Sequence, residues 1–141
     1  MGPKIFTVRE ANACIPAIEE AFEALDQIRS RLRKVKGKID VLEMLWGDEI
    51  QSEANPDHRE HDHYVADVEK LKQDFEGATK RISDLEVVLK SVDSGLVDFY
   101  GVIDGRLVFL CWKRGEKSVD FFHHIEEGFA GRQEIAHEYK A

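Results

Sequence analysis

Two long runs of apolar residues at helical spacing set the limits on what this chain can fold into. In the first, apolar side chains fall at Ala11, Ile15, Ile18, Phe22, Leu25, Ile28, Leu32, Val35, Ile39, Leu42 and Trp46. In the second they fall at Tyr64, Val68, Leu71, Phe75, Ala78, Ile82, Leu85, Leu89 and Val92. Steps of three and four alternate almost without interruption, which draws one stripe along a helix and lies close to a heptad seam. Thr7 and Glu10 stand at capping-box spacing ahead of the first stripe, with Phe6 before the cap. Pro16 either bends this helix or delays its true start. The segment Gly47 to Asp57, with Ser52 and Asn55-Pro56, breaks the period and reads as a loop. A second helix is expected from near Asp57 to Asp93-Ser94-Gly95, whose glycine suits a helix C-terminus. Stripes joined by so short a loop form an antiparallel helical hairpin over residues 7–94. Two such helices leave apolar surface uncovered, so a homodimer is expected, built through the helices.

From Gly95 the period changes to near-alternation. Leu96 to Ile103 and Arg106 to Lys113 are rich in Val, Phe, Leu and Tyr, and Asp104-Gly105 between them is a two-residue hairpin signal. Pairing Ile103 with Arg106 sets Val97 against Trp112, Phe99 against Leu110 and Asp98 against Cys111. The last pair places a carboxylate and a thiol on one sheet face with Cβ atoms about 5 Å apart. A third strand over Ser118 to Ile125 follows the turn at Lys113-Arg114-Gly115-Glu116. Its phase is open: a two-residue and a three-residue loop put His123 on opposite faces. The expected fold class is α+β, a long antiparallel helical hairpin followed by a small three-stranded antiparallel sheet. It forms one domain over 1–141, with the sheet and a C-terminal tail in 95–141.

Composition narrows the function classes. Twenty-eight acidic against 20 basic residues leave a net charge of −8, which disfavours nucleic acid or an anionic membrane as the main partner. The basic run Arg29 to Lys38 does not reverse this, because it faces Asp67, Glu69, Asp74 and Glu76 across the hairpin. No apolar run approaches the roughly 18 residues of a membrane span, and the start lacks an apolar signal segment. Cys14 and Cys111 are too few for a disulfide scaffold, so a cytoplasmic protein with free thiols is expected.

The chemistry-bearing residues cluster late in the chain. Asp98 among apolar strand residues is costly to bury without partners. It either bonds a nearby turn or an arginine, or it opens a polar pocket. Asp98, Cys111, Glu116 and His123 are ligand types for zinc or another divalent ion, though no compact metal motif spaces them; Asp98, Glu116 and His123 form the first candidate metal set. His58, His61 and His63 form a second, weaker set at the start of the second helix, where the alternative is a solvated, acid-rich first turn. No Ser-His-Asp order, phosphate loop, dinucleotide fingerprint or zinc-protease motif occurs, so nothing assigns an enzymatic activity.

Several stretches carry a family resemblance: Gly95-Leu96-Val97-Asp98-Phe99, Val108 to Glu116, Phe122-His123, Gly128 to Arg132, and the opening Phe6 to Asn12. Together they resemble the bacterial family catalogued as domain of unknown function 2203. That family's pattern has Trp before the histidine, where this chain has Phe122. The resemblance brings no activity. It implies that Asp98, Cys111, Trp112, Glu116, His123 and Arg132 are the ligand-binding residues. Two functions are expected to compete. One is a module binding a metal ion or small ligand through the sheet residues; the other is a non-enzymatic assembly protein whose helices mediate oligomers.

Overall fold

In the computed structural model, residues 2–140 are described. Helix α1 (Val8–Trp46) leads through a 3-10 turn (Gly47–Gln51) to helix α2 (His58–Ser83). Five strands follow: β1 (Val88–Ser91), β2 (Leu96–Ile103), β3 (Arg106–Lys113), β4 (Phe121–His124) and β5 (Gln133–Glu134). They form one antiparallel sheet in chain order. The class is α+β as expected, but the sheet has five strands and not three. No helix among the described residues is long and apolar enough to cross a membrane.

The capping box forms as read. Thr7 N–H donates to Glu10 Oε1 at 2.9 Å, and Glu10 N–H donates to Thr7 Oγ1 at 3.1 Å. Two N–H donors at this helix end are thereby satisfied. Helix α1 runs through Pro16 and neither starts late nor stops there. It gives way at Gly47, whose φ of +57° leaves the right-handed helical region.

The chain divides into two compact units: residues up to 22 together with those from 79 onward, and residues 23–78. In the second unit, Val35 packs with Val68 and Leu71, and Ile28, Leu32, Ile39 and Tyr64 close around them. The stripes therefore meet as their spacing predicts. Arg29 of the basic run lies over the Phe75 ring, and Lys38 over Tyr64.

In the first unit the sheet has two unlike faces. Val97, Phe99, Leu110 and Trp112 share one face and pack against the start of the chain. The Phe99 ring meets Phe6 edge-on at 5.2 Å, and Trp112 lies 6.4 Å from Phe22. Phe6 N–H also donates to the Tyr100 carbonyl at 2.7 Å. Trp112 is fully buried and keeps its indole N–H satisfied on the Glu116 carbonyl at 3.0 Å. Asp98, Tyr100, Phe109, Cys111 and His123 share the opposite face.

Three boundaries differ from the sequence reading. Helix α2 stops at Ser83, about ten residues short of Gly95, and Val88–Ser91 become a strand. Leu85 and Leu89 fit the heptad, but Glu86 takes φ +65° and turns the chain over. The backbone of Val88 and Leu89 then pairs with Asp98 and Val97. β-branched Val87-Val88 favour that outcome over helix. The third strand of the sequence reading, expected over Ser118 to Ile125, is β4 and is shorter, Phe121–His124. The tail adds β5, which pairs Glu134 with Phe121 and Gln133 with Phe122.

Gly95 turns β1 into β2 instead of ending a helix. Its φ is +68°, its carbonyl accepts from Arg114 N–H at 2.8 Å, and a Cβ there would stand 2.5 Å from Arg114 Cβ. Gly37, inside α1, has open space at its Cβ position. The two alanine substitutions should therefore act in opposite directions. Gly95→Ala should cost at least about 2 kcal/mol through strain and clash. Gly37→Ala should gain about 1 kcal/mol of helix propensity. Urea midpoints of the two variants beside wild type check both signs.

Candidate metal centre

The Asp104-Gly105 turn sets the geometry of the site. Both residues have positive φ, +53° and +74°, as the two-residue hairpin turn matched to strand twist requires. The resulting register pairs Ile103 with Arg106, and Asp98 with Cys111. The next pairing sets Cys111 against Phe121 and Phe109 against His123. This resolves the open phase of β4: His123 falls on the face of Asp98 and Cys111. The connection is longer than either simple turn because residues 114–120 are tied down locally. Lys113 N–H donates to Glu116 Oε1 at 2.7 Å, Val119 N–H donates to Asn12 Oδ1 at 2.7 Å, and Ser118 Oγ donates to Asp120.

Asp98, Cys111 and His123 are each about 2% exposed. Their ligand atoms, a carboxylate oxygen, Sγ and an imidazole nitrogen, all lie within 4.8 Å of one another. His123 Nδ1 is 2.9 Å from the His124 carbonyl, which can only accept, so Nδ1 carries a proton. Nε2 is then the other ring nitrogen, and it faces Asp98 Oδ2 at 3.1 Å. In a neutral ring with Nδ1 protonated, Nε2 presents a lone pair, and a carboxylate beside it presents another. Two acceptors do not sit at that distance without positive charge between them. The pair therefore holds a proton there, or gives way to a cation. The Phe109 ring flanks the imidazole, centroids 5.5 Å apart.

Cys111 adds a second proton to the group. Burial pushes its thiol pKa up to about 12; the Asp98 charge beside it and the thiol's hydrogen bond to that carboxylate push the same way, and Arg132 opposes them. The thiol is thus neutral at ordinary pH. A neutral thiol is a weak nucleophile.

Glu116 and Arg132 form a separate, adjoining pair. Arg132 Nη2 donates to Glu116 Oε1 at 2.7 Å and to the Cys111 carbonyl at 3.2 Å. Its guanidinium lies between the rings of Phe121, at 4.1 Å, and Phe129, at 4.6 Å. Cys111 belongs to both groups, its thiol facing Asp98 and its carbonyl facing Arg132. Of the residues singled out in the sequence, the structure brings Asp98, Cys111 and His123 together. It gives Glu116 to Arg132, and Trp112 to the opposite sheet face.

The loop histidines take different partners. His58 donates from Nδ1 to the Ile50 carbonyl at 2.8 Å and faces Asp62 with Nε2 at 3.2 Å. His61 is 3% exposed and faces Glu43 at 3.2 Å, whereas His63 is exposed and lies 3.7 Å from Asp67. His61 is therefore not part of a solvated first turn; its place on the inner side of α2 buries it. Among the described residues, the ligand atoms that converge are those of Asp98, Cys111 and His123.

A cavity of about 230 Å³ opens onto these three side chains, walled by Lys90, Leu96, Glu127, Gly128 and Phe129. None of these wall residues was singled out as a site residue in the sequence. Lys90 reaches the cavity through β1, which the sequence reading took for helix, Leu96 through β2, and Glu127–Phe129 through the turn after β4.

The model of the uncharacterized conserved protein family DUF2203 matches residues 4–135. The chain belongs to the DUF2203 family. No curated protein and no solved structure matches it. The match takes in both helices and every strand of this DUF2203 chain, so the fold and the three converging side chains lie inside the family region.

The thiol offers a direct check on the site's electrostatics. A free cysteine titrates near 8.5. With the folded value raised to about 12, the neutral thiol's contribution to stability is complete below about 8.5 and is lost as pH rises toward 12. Iodoacetamide at pH 8 should label Cys14 and spare Cys111 until the protein unfolds. Cys111→Ala should flatten the decline of the melting temperature between pH 9 and 11. Equal labelling of both thiols in the folded protein would show that Cys111 is not held as described.

Proposed function

We propose that this DUF2203 chain binds one divalent metal ion of the zinc class through Asp98, Cys111 and His123. The observation that carries this reading is the pair of facing acceptors, His123 Nε2 and Asp98 Oδ2, 3.1 Å apart and buried. Two ligands of one tetrahedral ion, each about 2.0–2.1 Å from it, stand roughly 3.3 Å apart. The backbone supplies what a metal-bound histidine needs on its other side, a carbonyl that accepts from Nδ1 and fixes the ring. A mixed N, O, S set suits zinc or cobalt better than magnesium or calcium, which take oxygen. Three protein ligands would leave a fourth position, and all three ligand residues line the cavity. An ion entering this site displaces the proton between Asp98 and His123 and the proton of the Cys111 thiol.

Arg132 and Glu116 have a supporting role in this reading. By donating to the Cys111 carbonyl, Arg132 holds the strand at the ligand residue without contributing a ligand. Equilibrium dialysis of tag-free protein against micromolar zinc should give one ion per chain, with affinity rising with pH because protons must leave. Asp98→Asn, Cys111→Ser and His123→Ala should each lower affinity by about tenfold to a hundredfold or more while circular dichroism stays native. Simultaneous replacement of His58, His61 and His63 should leave the stoichiometry at one. A metal-free protein under these conditions, or unchanged affinity in the three variants, would leave Asp98 and His123 as a buried structural ion pair.

A second reading has its own observation. On α1, Met44 is 86% exposed, Leu45 70% and Val41 55%, and Val65 on α2 is 41% exposed. Apolar side chains left so bare on neighbouring turns favour helix-mediated self-association. Light scattering should give twice the chain mass at tens of micromolar, and Met44→Lys with Leu45→Lys should return it to the chain mass. A wild-type monomer would remove this reading.

A further inference from the structure

The cavity beside the three converging side chains contains more than ligand atoms. Resting on the metal reading above, we infer that the fourth position of the ion receives a small singly charged carboxylate, with Lys90 meeting its charge and Leu96 and Phe129 meeting its apolar body. All three residues wall the same cavity as Asp98, Cys111 and His123.

Lys90 lies in β1, in the irregular step between the Leu89 and Ser91 pairings with β2. Its ammonium stands 4.9 Å from the centre of the Phe109 ring, which also packs against Tyr100 and His123. No carboxylate among the described residues forms an ion pair with it. One aromatic ring thus packs against both the Lys90 ammonium and the imidazole of a proposed metal ligand. The apolar part of the wall comes from strand β2 through Leu96 and from the Phe129–Gly131 turn through Phe129. Phe129 packs against the Arg132 guanidinium at 4.6 Å and the Lys113 ammonium at 5.3 Å, and the residue remains 42% exposed.

Charge selects the ligand class. A divalent ion bound by the Asp98 carboxylate and a Cys111 thiolate is neutralised, so the ion alone gives an anion little attraction. The remaining charged groups on the wall are Lys90 and Glu127. Glu127 is engaged, its Oε1 accepting from His124 N–H at 3.3 Å and its side chain lying where a Cβ on Gly131 would fall. Lys90 is therefore the one cation on the wall, and the charge that Glu127 retains on the same wall disfavours a doubly charged ligand. The volume, about 230 Å³, suits a ligand of benzoate size and excludes nucleotides.

The experiment uses full-length protein loaded with cobalt(II), whose visible spectrum reports both the thiolate bond and the coordination number. Benzoate should change the d–d bands at millimolar concentration or below, and benzamide, its neutral isostere, should not. Lys90→Gln should weaken benzoate about tenfold and leave cobalt uptake unchanged. Lys90→Arg should restore most of the affinity. Inorganic phosphate, mostly doubly charged at pH 7.5, should bind more weakly than benzoate. Cobalt uptake with no response to benzoate, or equal benzoate affinity in wild type and Lys90→Gln, overturns the carboxylate inference and leaves the metal reading standing. Tighter binding of phosphate than benzoate overturns the assignment of a single charge and an apolar body. Failure to take up cobalt at all removes the metal reading, and this inference with it.

Discussion

The hairpin at Asp104-Gly105 governs everything built on the sheet. Two consecutive residues with positive φ give β2 and β3 a single alignment, because a slip by one residue would turn every side chain to the other face. Trp112 and Leu110 would then leave the core for the face that holds Asp98. The penalty for that exchange is large: several buried large side chains are involved, each stabilising by roughly 2–3 kcal/mol. Core packing and site geometry are consequently two results of one register. The apolar face enforces the alignment, and the polar face inherits it.

The polar face uses that rigidity to hold charge in a place where charge is expensive. A buried carboxylate and a buried imidazole survive because each satisfies the other, and because the thiol and the His124 carbonyl take up the remaining valences. Breaking such a group by removing one member leaves an uncompensated partner, which is costlier than removing the whole. Arg132 is a different case. Its guanidinium is stacked between two rings and has one strong acceptor in Glu116, so its charge is compensated locally.

The sequence made the helices, the β2–β3 register and the Asp98–Cys111 pair legible, because each depends on neighbours close in the chain. Period and capping act over a few residues, and a two-residue turn defines the pairs that follow it. The strand β1 was hidden for the opposite reason. Leu85, Leu89 and Val92 prolong the heptad, and the weak local preference of Val87-Val88 becomes a strand through pairing with β2, a partner that local spacing does not reveal. The face of His123 could not be read because Glu116, Ser118 and Asn12 lengthen the connection before β4. The types of residue in the site were legible, but their partition was not. Glu116 looked as good a ligand as Cys111 until Arg132, sixteen residues further on, claimed it. His61 likewise read as a surface residue, since nothing in Asp57 to His63 tells which of three closely spaced histidines points inward.

The two protons held among Asp98, His123 and Cys111 have a consequence for how occupancy of the site could be noticed. Empty, the trio is an anion, a cation and a neutral thiol, or the equivalent with the shared proton on the carboxyl. Filled, it is two anions, a neutral ring and a doubly charged ion. Both sums are zero, so the proposed loading would be an electroneutral exchange. The net charge of the chain would be the same in either state. Isoelectric focusing and ion exchange would therefore not separate the two forms, whereas intact mass under native conditions would. The long-range field of the protein, and with it the attraction or repulsion felt by any approaching partner, would then be the same with the proposed centre filled or empty.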